Sequence, residues 1–243
     1  MNYTEAAPHP ALSKYVDAYW TVTGSSKTRI EKILPDGCVD IIFNVGNDCY
    51  TDNGSFLMKN DKAYLVGTMT RFKETEMDSD TRLFGIRFKP GTFLAFFNYS
   101  PLCEVANRTV DLDASFRFNA NTLIKSPFEF LDKLLFKNLK SPDQHLLEQV
   151  QAIQRSKGQV KIEELASRHY TTVRQLERNF KKYLGITPKD FINLVRYHNA
   201  SAAIHQRKPG QSLLSIAIDF GYYDHAHLTN QFRHYNGCAP SDF

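Results

Sequence analysis

The sequence predicts an α+β protein of two domains, a mostly β half followed by an all-α half built around two tandem helix-turn-helix units. Three observations carry this. Residues 15–90 hold short runs of aromatic and β-branched residues, separated by turn residues and with no helix-length segment between them. After Pro90 the apolar spacing becomes helical. In the last third, Leu176, Phe180, Gly185, Pro188 and Phe191 recur as Leu228, Phe232, Gly237, Pro240 and Phe243, each 52 residues further on. A fixed internal period of this kind sets an architecture.

In the first half the expected strands are AYWTVT (18–23), RIEKIL (29–34), VDIIFNV (39–45), AYLVGT (63–68) and RLFGIRF (82–88). Pro35-Asp36-Gly37, Gly46-Asn47-Asp48, Asp52-Asn53-Gly54 and Lys59-Asn60-Asp61 supply the turns between them. Many short strands in succession favour a small β-barrel or a sandwich. The segments 91–99 and 127–140 follow as helices. In the second, Phe128, Leu131, Leu135 and Leu139 form a stripe that packs on the barrel or marks a surface for self-association. Ser141-Pro142-Asp143 breaks the pattern, which divides the chain into domains 1–142 and 143–243.

In the second half helices are expected at 143–156, 161–168, 172–184, 188–207, 212–219 and 224–235. Thr172 with Gln175 fits a capping box, Thr187 caps a helix that begins with Pro188, Asp224 caps the last helix, and Lys208-Pro209-Gly210 ends the long one. The links His169-Tyr170-Thr171 and Gly221-Tyr222-Tyr223 have the length a helix-turn-helix requires.

Charge separates the halves. Residues 1–142 hold 17 Lys/Arg and 17 Asp/Glu, whereas residues 143–243 hold 13 and 9, so the whole net charge of +4 lies in the second half. Seven of the eight histidines lie there too. A basic module on a neutral one suits a polyanion. No segment is long and apolar enough for a bilayer. The opening MNYTEAAPHPALSKY lacks the basic start and apolar run of a secretory signal. The four scattered cysteines read as reduced thiols, and the expected location is the cytoplasm.

Within each repeat Leu176 and Phe180, or Leu228 and Phe232, lie one turn apart and face a core. The opposite faces then present Arg174, Glu177, Arg178 and Lys181 in the first unit, and His225, His227 and Asn230 in the second. Arg suits guanine and Asn suits adenine at major-groove base edges. Glu177 can instead pair with Arg174 or Lys181 along its helix.

The residues IEELA…TTVRQLERNFKKYLGITPKDFINLVRYHNA and LLSIAIDFGYYDHAHLTNQFRHYNGCAPSDF closely resemble the DNA-binding domain of the AraC/XylS family of transcription regulators over about 100 residues. The resemblance implies base contacts from Arg174, Glu177 and Arg178 in the first unit, and from His225, Ala226, His227 and Asn230 in the second. Phosphate contacts are expected from Thr172, Lys181, Lys182 and Arg233. ILPDGCVDIIFNVG (33–46), LVGTMTR (65–71) and FGIRFKPGTFLAFF (84–97) resemble one subgroup of AraC-type regulators, whose first domain is cupin-like. That implies a sensing or dimerisation domain whose ligand is unassigned. The expected function is sequence-specific transcription regulation. The expected partners are double-stranded DNA read in the major groove, RNA polymerase, a small-molecule effector and a second copy of the chain.

The rival reading is a small-molecule-binding cupin-like protein whose helical tail mediates protein contacts. A metal-dependent cupin enzyme would need a His/Glu cluster on the strands, and the only histidine before position 145 is His9, outside any expected strand. His225 and His227 point apart on a helix and make a poor metal pair. A DNA-alkylation sensor would need a reactive Cys in an N-terminal zinc cluster, which is not seen. Asp36 and Asp40 in LPDGCVD read as turn and strand-start residues rather than as an acid/base pair. No phosphate loop, G-x-S-x-G or H-E-x-x-H is present, so neither an enzyme nor a cofactor is expected.

Overall fold

The structure is a computed structural model that describes residues 2–25, 27–99, 101–112, 116, 118–207 and 210–242. Its first half is β-rich, as expected, with ten strands among the described residues. They are β1 (Asn2–Ala6), β2 (Val16–Thr23), β3 (Arg29–Ile33), β4 (Val39–Asn44), β5 (Cys49–Thr51), β6 (Phe56–Met58), β7 (Lys62–Val66), β8 (Lys73–Met77), β9 (Arg82–Phe88) and β10 (Thr109–Asp111).

The strands do not close into a barrel. Six of them form an open antiparallel sheet in the order β1-β2-β9-β4-β7-β10, and the pairs β3-β8 and β5-β6 lie apart from it. The reason lies in which residues are apolar. Along β2, Tyr19 belongs to one buried cluster and Trp20 to another, and Leu65 and Tyr64 of β7 divide the same way. The sheet is therefore buried on both faces, and a sheet covered on both sides reads as near-continuous apolar runs. One face carries Tyr19, Ile41, Phe43, Leu65, Ile86 and Phe88, packed with Phe93, Phe96, Leu131 and Leu135 from later in the chain. The other carries Trp20, Val22, Tyr64 and Leu83 against Cys49, Met58 and Met77 of the small sheets.

Two helices follow, α1 (Ala120–Lys125) and α2 (Pro127–Asn138). The expected stripe of α2 lies on the protein's own sheet. Leu131 and Leu135 are fully buried, Leu139 packs against the same cluster from just past the helix end, and the Phe128 ring stacks on Tyr19 at 6.2 Å. The segment expected as a helix at 91–99 forms only a 3-10 turn, Phe93–Ala95. Thr92 Oγ1 there donates to the carbonyls of Tyr15 and Lys89, and the Phe93, Phe96 and Phe97 rings gather on Phe88 instead of lining one helical face.

The second half is all helix: α3 (Gln144–Arg155), α4 (Ile162–Arg168), α5 (Val173–Tyr183), α6 (Pro188–His205), α7 (Leu213–Asp219) and α8 (His225–Asn236). Two cores divide it. α3, α4 and α5 enclose Leu146, Val150, Ile153, Leu165, Leu176 and Phe180, while α7 and α8 enclose Ile216, Ala217, Leu228, Phe232 and Tyr235. α6 serves both, giving Phe191, Ile192 and Val195 to the first and Leu194, Tyr197, Ala200 and Ile204 to the second. α6 ends two residues earlier than expected, and Lys208 and Pro209, the expected stop, lie outside the described residues, as does Phe243.

One glycine shows how the sheet makes room for a large side chain. Gly85 of β9 is the register partner of Trp20, and a Cβ at Gly85 would fall 1.9 Å from the indole ring. The indole therefore lies over bare backbone. Gly85→Ala should displace Trp20 and destabilise the protein by about 1–3 kcal/mol, measured as a lower denaturant midpoint with an unchanged m-value. An unaltered midpoint would mean that the ring moves aside without cost.

Candidate functional site: two exposed helix faces and an inter-sheet cavity

The internal repeat extends to the hydrogen bonds that build each unit. Thr172 Oγ1 accepts from Gln175 N, and Asp224 Oδ1 accepts from His227 N, so α5 and α8 are capped at the same offset. The capping box expected of Gln175 does not close. Its side chain instead accepts from Arg178 at 2.6 Å and donates to Asn179 at 2.7 Å. A closed box occurs at Thr187 and Asp190, and Ala239 N with Asp242 repeats its backbone half. Gly185 and Gly237 end α5 and α8 in the left-handed region, at φ 83° and 77°. In each turn a backbone N–H reaches five residues back, from Thr171 to Ala166 and from Tyr222 to Ala217. The second turn holds one more residue than the first, because α4 ends at Arg168 and α7 at Asp219 while the caps stay 52 apart.

This frame buries Leu176, Phe180, Leu228 and Phe232 and leaves the opposite faces open. Arg174, Glu177, Arg178, Lys181 and Lys182 are exposed on α5, with Thr172 at its cap. His225, Ala226, His227, Asn230 and Arg233 are exposed on α8. All remain so with the β-rich half in place. Glu177 makes no ion pair among the described residues, so the alternative pairing with Arg174 or Lys181 is not formed. His227 is tied to its turn, its Nδ1 accepting from Tyr223 N at 3.5 Å. Sequence reasoning missed two side chains beside these faces. Tyr170 and Tyr223, in the two turns, are 99% and 89% exposed. It also missed His145, Glu148 and His169, whose ligand-capable atoms lie within 4.8 Å of one another where α3 meets the first turn. Their imidazole and carboxylate donors are of the kind that holds Zn²⁺.

A second feature lies in the β-rich half. A cavity of about 150 Å³ opens between the main sheet and the small ones, walled by Trp20, Val22, Ile33, Met58, Met69 and Met77. Its polar end holds Asp36, Asp40 and Arg87. Arg87 Nη1 lies 2.8 Å from Glu5 and 3.9 Å from Asp17, Nη2 donates to the Tyr3 hydroxyl, and Nε lies 3.1 Å from Asp36 and 4.0 Å from Asp40. One guanidinium thus faces four carboxylates. Asp40 accepts from the indole Nε1 of Trp20 at 2.7 Å. Burial first, then the neighbouring Asp36, pushes its pKa up to about 7. Burial opposes the Arg87 charge, but Asp40 and Asp36 outweigh it and raise its pKa. The other cation on the wall, Lys73, is buried against Asp52 at 2.6 Å. Asp36 and Asp40, read from sequence as turn and strand residues, are therefore also the acidic end of a cavity. Asp36 does keep its turn role, accepting from Cys38 N.

The same turn meets the helical half. His198 Nε2 on α6 donates to the carbonyl of Pro35 at 2.8 Å, and Gly37, at φ 80°, sits against the Phe191 ring and Leu194. Lys32 Nζ donates to the carbonyl of Asn236 at the end of α8.

Comparison with known proteins agrees with this division. Residues 4–111 match the model of a domain of unknown function (DUF6597), and residues 165–243 match that of a helix-turn-helix domain. The chain is 32% identical over 82 residues to an uncharacterized HTH-type transcriptional regulator of Haemophilus influenzae, a match spanning 34% of this chain and 27% of that relative. Among solved structures, ToxT from Vibrio cholerae O395 bound to (E)-4-(8-methylnaphthalen-1-yl)but-3-enoic acid is 11% identical, with a TM-score of 0.50 over 100% of this chain and 98% of that one. A regulator from Chromobacterium violaceum with an AraC-type DNA-binding domain is 23% identical over 41% of this chain and 88% of that one, with a TM-score of 0.38. The C-terminal part of the chain thus matches a helix-turn-helix domain. It follows a β-rich domain in the two-domain fold that ToxT also has.

The acidic end gives a test of sign. A carboxylate whose folded pKa is raised favours the protonated form, so its contribution to stability falls as pH rises from the usual carboxylate value through about 7. Asp40→Asn, neutral throughout, should stabilise the protein by about 1–2 kcal/mol at alkaline pH and by little in mild acid. Thermal unfolding of both proteins across that range checks it, and a gain that does not grow with pH would contradict the assignment.

Proposed function

We propose that the protein is a sequence-specific DNA-binding transcription regulator, with a helix-turn-helix reader at residues 143–243 and a sensing or self-associating domain at residues 1–142. The observation that carries the reading is the pair of exposed polar faces on α5 and α8, each at the start of a capped helix and each left open by the β-rich half. In this reading Arg174, Glu177 and Arg178 meet base edges from one unit, and His225, Ala226, His227 and Asn230 from the other. Thr172, Lys181, Lys182 and Arg233 hold phosphates. The boundary near Asp143 is supported by the apolar clusters, since the last residue of the first cluster is Leu139 and the buried members of the next start at Leu146, with Ala106 packed beside them from the β-rich half. No helix among the described residues is long and apolar enough to cross a membrane. The reading places the protein in the cytoplasm, without catalytic activity and with RNA polymerase as a partner. The ToxT structure holds a small organic acid; for this chain the corresponding expectation is a small-molecule effector, with a second copy of the chain as a further partner.

α6 has 18 residues and spans about 27 Å, against about 34 Å between successive major-groove faces on one side of DNA. One monomer should therefore place both recognition helices on one DNA face and protect roughly 16–20 base pairs of non-palindromic sequence. Footprinting that finds each monomer protecting a single groove segment of a palindrome would defeat this.

Arg174→Ala or Arg178→Ala should cost about 1–3 kcal/mol at the cognate site and relax preference at one base position. Lys181→Ala or Lys182→Ala should weaken all sequences alike and flatten the salt dependence. Arginine variants that lose affinity equally on every DNA would be phosphate contacts, and the base-reading assignment would fall.

A further inference from the structure

We propose that the cavity between the sheets binds a small apolar molecule carrying a protonated amine, with Asp40 receiving the ammonium beside the Trp20 indole. The inference rests on the reading of residues 1–142 as a sensing domain and names the chemistry of what is sensed.

The volume sets the size. A dry cavity of about this volume holds one benzene ring, so at about 150 Å³ this one suits a single ring or a short branched chain. The walls set the polarity. Trp20, Ile33 and the thioethers of Met58, Met69 and Met77 offer soft apolar contact.

The charge decides the class. A carboxylate ligand would have to compete with the carboxylates that already surround the cations on the wall. Arg87 Nη1 is bonded to Glu5 and Nη2 donates to Tyr3, while Nε, 3.1 Å from Asp36, is buried and makes no hydrogen bond among the described residues, and Lys73 is held by Asp52. Asp40 is the reverse case. Its side chain is 17% exposed and takes one hydrogen bond among the described residues, from Trp20, which leaves acceptor capacity on a carboxylate. Asp17, Asp36 and Glu5 add negative charge that a single guanidinium does not balance. The thiol of Cys38 feels the same field, pushed up by burial first and then by Asp36, Asp40 and Asp17. An ammonium would relieve this repulsion.

The site also has a route outward. Asp36 lines the cavity, and its turn carries Pro35 and Gly37, which touch His198, Phe191 and Leu194 of α6. A ligand that moves Asp36 bears directly on the helix between the two readers.

The test is calorimetric titration of the full chain with three probes of matched shape: 2-phenylethylamine, 2-phenylethanol and 3-phenylpropionate. The amine should bind with unit stoichiometry, at least about tenfold more tightly than the other two. Its affinity should rise from about pH 6 to about pH 8 as Asp40 ionises in the company of Asp17, Asp36, Glu5, Tyr3, Cys38 and Arg87. Asp40→Asn should fold, as its unfolding curve will show, and lose the preference for the amine. Binding of the carboxylate in preference to the amine overturns the proposed class and leaves the sensing role standing. Equal binding of all three, or a preference kept by Asp40→Asn, overturns the role of Asp40. If none of the three gives saturable heat at millimolar concentration, the cavity is not such a site, and the DNA-binding reading is judged separately by the footprint.

Discussion

The burial of α6 on several sides is the constraint on which the rest of the arrangement depends. A helix that is apolar on one stripe belongs to one core. α6 gives Phe191, Ile192 and Val195 to one helical core and Leu194, Tyr197, Ala200 and Ile204 to the other. Phe191 and Leu194 also meet Gly37 of the β-rich half. The spacing of α5 and α8 is therefore fixed by a single rigid element, and they cannot be reoriented independently without opening a core. Arg196 reinforces this, donating through Nε and Nη2 to the carbonyl of Gly158, while Gln159 donates to the carbonyl of Asp219 in the second unit.

The β-rich half rests on a different principle. Its main sheet is covered on both faces, and the layer between the sheets encloses a cavity with one charged end. Four carboxylates around one guanidinium would be costly in isolation. They persist because Arg87 is shared among strand β1, strand β2, the turn at Asp36 and strand β4, which ties four segments to one point. The turn at Asp36 is also where this half meets α6.

The helical half was legible in the sequence almost residue by residue, because its signals are local. Caps at Thr172, Thr187 and Asp224 lie within three residues of the amides they satisfy, and each core pair is one turn apart. In the β-rich half the strands with strong apolar runs were legible and the others were not. KETEM (73–77) reads as polar because its outward residues are charged, and NYTEA (2–6) is an exposed edge strand. GTFLAFFNY has helical spacing, but its phenylalanines are drawn in different directions by Phe88 and Phe116. The acidic cavity end was hidden for a similar reason. Asp36 and Asp40 satisfy local turn and strand rules completely, and their meaning comes from Arg87, some fifty residues away in sequence and adjacent only across the sheet. The open sheet in place of a barrel is likewise a matter of which strands find each other.

The chain has one tryptophan, and Gly85 holds it in the wall of the cavity with its N–H on Asp40. Indole emission selected from that of the twelve tyrosines therefore originates at a single place in 243 residues. Its colour and lifetime originate in the surroundings of that one ring, undiluted by α5 and α8, which contain no second indole to obscure the signal. The protein thus carries its own optical probe at the inner end of the β-rich half, requiring no label and no substitution.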